Sequence, residues 1–233
     1  MAKVKVKKQS TFIDMTAMSD VTVLLLTFFM LTSTFIAKEP IQVTTPSSVS
    51  EIKIPDTNIM TILVDGNGKI FLSLEYQAEQ VIATLEAVGD DYGYTFTPKQ
   101  KESFRKLKSF GVPMSTMSTF LESSVDQQDA FMRDIQNPRV GIPTDSVEIR
   151  DASGLIISKD NEFMRWVGHA TRIRDEFRKE ALKAEIEMPE LQIAIKADQT
   201  TAYPVVKKVM DDLRSMRKNR YLLITNLKTA SAE

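Results

Sequence analysis

One carboxylate, Asp20, lies near the start of the most apolar run of the chain. The run extends from Ala17 to Ala37, and Asp20 is its only charged residue. A charged aspartate in the middle of a membrane span costs about 3 kcal/mol, and less near the interface. Two interpretations stay open: an interfacial residue that marks where a span begins, or a protonatable group that faces other helices.

Two threonines continue the face of Asp20 along the same run. Thr27 and Thr34 follow Asp20 at intervals of seven residues, or about two helical turns each, so the three side chains share one face. A polar stripe with this period indicates a face packed against protein rather than lipid. No second acid lies in the run, so a complete proton path through it would need another subunit.

The run around Asp20 is long enough to cross a bilayer. Twenty-odd residues, each rising about 1.5 Å, cover a hydrocarbon core of roughly 30 Å, and we predict a transmembrane helix over residues 13–37. A basic tail, residues 1–12, precedes it, and this lysine excess places the N-terminus in the cytoplasm and the rest outside. The alternative is a cleaved signal peptide. Phe35 stands where a cleavage site before Lys38 would need a small residue, which favours the retained anchor.

The composition of the chain excludes several kinds of site. Lysine plus arginine (30) nearly balance aspartate plus glutamate (31), so no global charge favours nucleic acid. The absence of cysteine excludes disulfides and zinc–thiolate sites, and a single histidine, His169, excludes His-rich metal clusters. We expect that the chain is not an enzyme and that it binds neither a cofactor nor a metal. The enzyme hypothesis has only scattered carboxylates to draw on: Asp90, Asp91, Asp126 and Asp129.

The remainder of the chain predicts an α+β domain over residues 59–227. Residues 38–58 are rich in Pro, Ser and Thr, which predicts an extended linker. Within it, apolar and polar residues alternate in "IQVT" and "EIKI", and this pattern predicts two short strands. Two β-rich runs flank Gly66-Asn67-Gly68 and predict a hairpin over 59–74. At the other end, 190–198 and 220–227 are strands joined by a helix over 203–218, which predicts two parallel strands with a right-handed crossover.

Between these blocks, residues 76–188 carry mostly helical patterns. Val81, Ile82, Leu85 and Val88 share one face of a first helix. A second helix begins at the N-cap Thr97, with Gln100 completing a capping box, and ends at Gly111. We also predict a short helix over 124–138, a strand at "VEIRD" and a long charged helix over 160–186. The long helix turns one apolar side to the core: Phe163, Trp166, Val167, Ile173 and Phe177.

The N-terminal run resembles the ExbD/TolR family. In "FIDMTAMSDVTVLLLTFFMLTS" the family signature matches at Ile13, Met15, Thr16, Met18, Asp20 and Val21, while Asp14 replaces an asparagine and Ala17 a proline. "ILVDGNGKIFLS" is similar to the family's first periplasmic hairpin. The segment from Leu191 to Thr225, with its Lys-Ala-Asp and Tyr-x-x-Val elements, is similar to the closing strand–helix–strand.

This resemblance implies a proton-driven motor subunit of the inner membrane, with one transmembrane helix and a periplasmic domain. Asp20 corresponds to the family's proton-carrying acid. The implied partners are an ExbB-like polytopic ring subunit, a second ExbD-like chain and a TonB-like transducer of outer-membrane transport. We favour an ExbD-like over a TolR-like role. The alternative is a non-motor single-span envelope protein whose domain binds peptidoglycan or another envelope protein.

The segment 76–188 is longer than the family needs between hairpin and closing unit. It is either a structural elaboration, which packs on the sheet or widens a dimer, or a module that binds peptidoglycan, TonB or another envelope protein. We expect Trp166 in the core. We expect His169 as a packed or surface residue of the long helix rather than a metal ligand.

Overall fold

The computed structural model describes residues 15–32, 43–48, 58–145, 147–150, 156–186, 188–224 and 226–227. The chain divides into two compact units, Met1–Lys38 and Glu39–Glu233. The first unit contains one described helix, α1 (Met15–Thr32). The described part of the second contains, in chain order, β1 (Ser47–Ser48), β2 (Ile59–Val64), β3 (Ile70–Glu75), α2 (Ala78–Asp91), α3 (Pro98–Lys106), α4 (Met114–Glu122), α5 (Val125–Arg133), β4 (Val147–Arg150), β5 (Ile156–Asp160), α6 (Glu162–Lys183), β6 (Gln192–Ala197), α7 (Tyr203–Ser215), β7 (Leu222–Leu223) and β8 (Asn226–Leu227).

Helix α1 covers 18 residues of the predicted transmembrane segment 13–37. At about 1.5 Å per residue its length is roughly 27 Å. The other residues of that segment, like the predicted cytoplasmic tail 1–12, lie outside the described residues. Among the residues that the structure describes, no helix is both long enough and apolar enough to cross a lipid bilayer. The transmembrane helix stays a prediction.

A four-stranded sheet organises the second unit, with its strands in the order β3-β2-β6-β7. β2 and β3 are antiparallel, as the predicted hairpin requires, and Val64 pairs with Ile70 next to the turn. Asp65 stabilises the turn because its Oδ1 accepts hydrogen bonds from the amides of Asn67 (2.9 Å) and Lys69 (3.0 Å). Gly68 supplies the left-handed backbone, at φ 78°.

The closing unit adds two parallel strands to this hairpin. β6 pairs in parallel with β2, and β7 pairs in parallel with β6, so the predicted strand–helix–strand is confirmed. α7 buries Val209 and Leu213 completely. The predicted single strand over 220–227 instead forms β7 and then β8, and β8 pairs in parallel with β1.

The linker prediction is partly wrong. The described strand of that region, β1, comes after "IQVT" rather than within it, and Val43 and Thr44 are not in a strand. The physical reason is that Thr44 binds a loop: its amide donates to Asp198 Oδ2 (2.8 Å), and its carbonyl accepts from the amide of Gln199 (2.9 Å). The predicted strand "EIKI" lies outside the described residues.

The main hydrophobic core joins the sheet to the helices of segment 76–188. Met60, Ile62 and Val64 of β2 lie in one cluster with buried residues of α2, α3, α4, α6 and α7. Trp166 of α6 is fully buried, and its ring lies 4.7 Å from that of Phe110 and 6.0 Å from that of Phe104. Segment 76–188 therefore packs on the sheet and shares its core.

Several boundaries within this segment differ from the predictions. The capping box at Thr97 is confirmed, but α3 ends at Lys106 and not at Gly111. The chain leaves the helix there because Phe110 pairs with Leu72 of β3 through two backbone hydrogen bonds, of 2.8 and 2.9 Å. Helix α4 and strand β5 were not predicted. Ile82 and Phe177 are only half-buried.

Candidate functional site

Asp20 lies in the second turn of α1, and it is the one charged residue of that helix. Its side chain is exposed within the first unit, as are those of its neighbours in the helix from Met18 to Thr32. Thr27 follows two turns later on the same face, as its spacing predicts. Thr34, the third residue of the predicted stripe, lies outside the described residues. The carboxylate of Asp20 is therefore open to whatever surrounds this helix.

Threonine hydroxyls of α1 bond back to the helix itself. Thr27 Oγ1 donates to the carbonyl of Leu24 at 2.9 Å, and Thr32 Oγ1 donates to the carbonyl of Phe28 at 2.8 Å. Thr22 Oγ1 lies 2.8 Å from the carbonyl of Ser19. Because these protons are already donated, the threonines can stay in apolar surroundings at low cost. The Thr27 oxygen can still accept a hydrogen bond from a proton donor on its face.

The second unit carries a groove of about 230 Å³ on the sheet face opposite the main core. Leu63 and Ile224 form apolar parts of its wall, and its charged side chains are Glu75, Lys108 and Lys196. Ser73 Oγ holds the loop after α3 against β3, because it donates to the carbonyl of Lys108 at 2.7 Å. The remaining lining residues are Thr61, Ser73 and Ser109. Such a surface can bind a polar chain segment that presents both a carboxylate and an amine.

The last residue of the Lys-Ala-Asp element, Asp198, accepts three hydrogen bonds through its carboxylate. Asp198 Oδ1 accepts from the hydroxyl (2.6 Å) and the amide (2.9 Å) of Thr200, and its Oδ2 accepts from the amide of Thr44. These donors, the Thr200 side chain first among them, hold the pKa of Asp198 below its usual value. Asp198 therefore ties the segment before β1 to the end of β6, which is a structural role.

His169 lies on α6, as predicted, and both of its ring nitrogens contact side chains. Its Nε2 lies 2.7 Å from Asp91 Oδ2, and its Nδ1 lies 2.9 Å from Arg172 Nη2. Arg165 completes the group, 2.7 Å from Asp160 and stacked over Tyr92. Of the four carboxylates considered for an enzyme, Asp91 alone joins this group, while Asp126 and Asp129 lie on α5. Within the described residues, no group of three or more His, Cys, Asp or Glu side chains is arranged to hold a metal ion.

Sequence reasoning found the residues of α1 and missed the groove. Asp20 and Thr27 belong to one helix, so their spacing alone places them together. The groove needs residues of β2, β3 and β6 and of the loop after α3, which meet only in the folded sheet. The sequence does contain one signal for the groove. Lys196 is a charged residue in the otherwise apolar strand "IAIKA", and the alternation of side chains along a strand places it on the sheet face opposite the main core.

Comparison with known proteins identifies one family. Residues 7–96 match the family described as ExbD, "Biopolymer transport protein ExbD/TolR". The match is less than half of the chain, and it includes α1 with Asp20, the hairpin β2–β3 and α2. It does not extend over the rest of segment 76–188 or over the closing unit. No curated protein and no solved structure matches the chain. The predicted resemblance is confirmed over residues 7–96.

Proposed function

We propose that this chain, which carries an ExbD/TolR domain over residues 7–96, is a proton-channel and motor subunit of an inner-membrane ExbB–ExbD-type complex. Members of this family take part in biopolymer transport and are not enzymes. In this proposal the proton motive force acts through Asp20 and energises TonB-dependent transport across the outer membrane. The observation that carries the proposal is the position of Asp20: one carboxylate, on an otherwise uncharged helix, inside the matched segment.

The proposed topology follows from the sequence on either side of α1. Residues 13–37 form a single transmembrane helix, residues 1–12 a cytoplasmic tail and residues 38–58 a periplasmic linker. The domain over 59–227, with its insertion 76–188, lies in the periplasm. The lysines of the tail support this orientation.

In the proposed mechanism, protonation of Asp20 lowers the free-energy cost of placing its face of the helix in apolar surroundings. Inside a ring of ExbB-like subunits, ionised Asp20 must face a polar partner, because a bare carboxylate is expensive in apolar surroundings. A proton from the periplasm neutralises it and removes that penalty, so the face can move past the ring. Release to the cytoplasm restores the charge. With a second ExbD-like chain, alternate protonation of the two Asp20 residues steps the pair around the ring.

Thr27 and Thr34 have a supporting role in this proposal. They extend the face of Asp20 toward the periplasmic end of the helix, where the proton enters. The Thr27 hydroxyl donates to its own helix and keeps an acceptor site for a proton donor or for a partner helix. They line the proton path or pack against the ring.

Replacing Asp20 by asparagine tests the mechanism. Asp20→Asn keeps the side chain's shape and removes its ability to ionise. We expect the loss of energised uptake in cells that depend on this chain, with a polytopic partner still co-purifying from membranes. Asp20→Glu, which restores the acid, should recover part of the uptake, and Asp126→Asn makes the same chemical change on the exposed surface of α5 as a matched control. Full uptake by Asp20→Asn would refute the role of Asp20.

The family match does not distinguish an ExbD-like from a TolR-like role. The groove with Glu75, Lys108 and Lys196 is the surface of the periplasmic domain that we propose for its envelope partner. A TonB-like transducer offers a chain segment, and peptidoglycan offers stem peptides with free amines and carboxylates. Co-purification with a transducer supports the first, and retention on peptidoglycan sacculi that Lys196→Ala weakens supports the second.

A further inference from the structure

The loop that follows α7 presents three cations to one cleft of the second unit. The cleft comprises two adjoining hollows, of about 370 and 440 Å³, at the end of the sheet where β6 and β7 begin. Arg220 and Asn219 line both hollows, while Arg217 and Lys218 line the first. Helix α6 contributes Thr171 and Asp175 from the other side. We call this the α7-loop cleft.

The charges of the α7-loop cleft do not balance within the described residues. Its lining contains two carboxylates, and Glu190 already binds Arg178 at 3.0 Å. Asp175 alone remains to face Arg217, Lys218 and Arg220. None of these three cations forms a hydrogen bond or an ion pair through its side chain with another residue that the structure describes. The cleft therefore offers positive charge to an incoming anion.

The backbone of Arg217 begins the loop after α7 in a left-handed turn. Arg217 follows the last turn of α7 with φ 60°, a left-handed conformation in which glycine is the usual residue. The turn is closed by the amide of Lys218, which donates to the carbonyl of Leu213 at 2.9 Å. A side chain at this position strains the backbone, and glycine would relieve the strain.

We propose that the α7-loop cleft binds a phosphate group, held by Arg217, Lys218 and Arg220. Phosphate monoesters carry close to two negative charges, which matches three cations set against one carboxylate. Each arginine offers a planar fork of N–H donors to two phosphate oxygens, and the lysine adds a point charge. The phosphate belongs either to a soluble ion or ester or to a lipid headgroup. The proposal does not depend on the role of Asp20.

Two glycine substitutions separate the binding role of Arg217 from its effect on the fold. Arg217→Gly removes the cation and the strain together. Glu185→Gly is the matched control, because Glu185 lies just after the end of α6 with φ 59° and does not line the cleft. Both variants should unfold at a higher temperature than the parent chain, by about 2 °C, because glycine is favoured at each position. Lys207→Ala, on the exposed side of α7, controls for the loss of one positive charge.

The full-length chain in detergent is titrated with sodium phosphate while sodium chloride holds the ionic strength constant. Thermal unfolding and calorimetry report binding, since a ligand of the native state raises Tm. We expect phosphate to stabilise the parent chain, Glu185→Gly and Lys207→Ala alike. Arg217→Gly should bind phosphate at least about tenfold more weakly although its unliganded fold is more stable.

A second arm identifies the source of the phosphate. The chain is reconstituted in nanodiscs of phosphatidylcholine, with or without phosphatidylglycerol. Stabilisation by phosphatidylglycerol that Arg217→Gly lacks, without an effect of free phosphate, supports a lipid headgroup; the reverse supports a soluble phosphate. Equal binding by Arg217→Gly and the parent chain, or no response in either arm, would overturn the proposal.

Discussion

Replacing Trp166 by alanine tests whether segment 76–188 and the sheet are one cooperative unit. Trp166 is fully buried, and its ring contacts those of Phe104 and Phe110. Truncating a buried aromatic residue to alanine costs about 3–5 kcal/mol, from lost apolar burial and from the cavity that remains. A domain of this size has a free energy of unfolding of about 5–15 kcal/mol. Trp166→Ala should therefore remove a large fraction of the stability of the whole second unit.

Urea unfolding followed by far-UV circular dichroism measures this loss. Trp166→Phe, which keeps a ring between Phe104 and Phe110, should lose only about 1–2 kcal/mol. Phe177→Ala provides a control on the same helix, and we expect it to lose less than Trp166→Ala because Phe177 is only half-buried. A single transition is expected in every variant.

Two results would contradict this reasoning. One is a loss below about 1 kcal/mol for Trp166→Ala, which would mean that the ring stack contributes little. The other is a transition that splits in two, with the sheet unfolding at the parent's urea concentration. That split would show that the helices of segment 76–188 form a separate folding unit.

Three further substitutions test local features of the second unit. Thr97→Ala removes a helix N-cap and should cost about 1 kcal/mol, measured by urea unfolding. Gly111→Ala should cost about 1–3 kcal/mol by the same measurement, because a Cβ at Gly111 would overlap the ring of Phe71. Burial raises the pKa of Glu162, against the hydrogen bond from the amide of Met114. The native state therefore holds this proton more tightly than the unfolded state, and stability should fall as the pH rises from about 4 through the raised pKa. Glu162→Gln should reduce this loss of stability, measured as the decrease of Tm with rising pH. An unchanged decrease would mean that other groups cause it.

The elements that the sequence predicted correctly are those whose signals are local. Gly66-Asn67-Gly68 predicts the hairpin because a two-strand turn needs residues that accept left-handed backbone. The capping box at Thr97 predicts the start of α3 from local sequence as well, because both residues of the box lie within one helical turn. The spacing of Asp20 and Thr27 likewise needs nothing beyond the geometry of one helix.

The elements that sequence reasoning missed depend on distant contacts. Helix α4, "MSTMSTFLE", is rich in serine and threonine and has no capping side chain at Pro113. Its first amide, that of Met114, instead donates to Glu162 Oε1 at 2.8 Å, from a residue 48 positions away. The end of α3 was misplaced for a similar reason, because Phe110 pairs with β3. No pattern within either segment carries this information.

A buried arginine shows how the chain before β2 is joined to segment 76–188. Arg174 of α6 is 1% exposed, and its guanidinium donates to the side chains of Asn58 and Gln80. Asn58 directly precedes β2, and its own backbone pairs with Glu75 of β3 and Gln192 of β6. Any displacement that reaches Asn58 along the chain therefore acts on β3, β6 and α6 at once. If the proposed motor displaces the linker, segment 76–188 should move together with the sheet. The reason is that the guanidinium of Arg174 joins this segment to Asn58, the residue at which the linker meets the sheet.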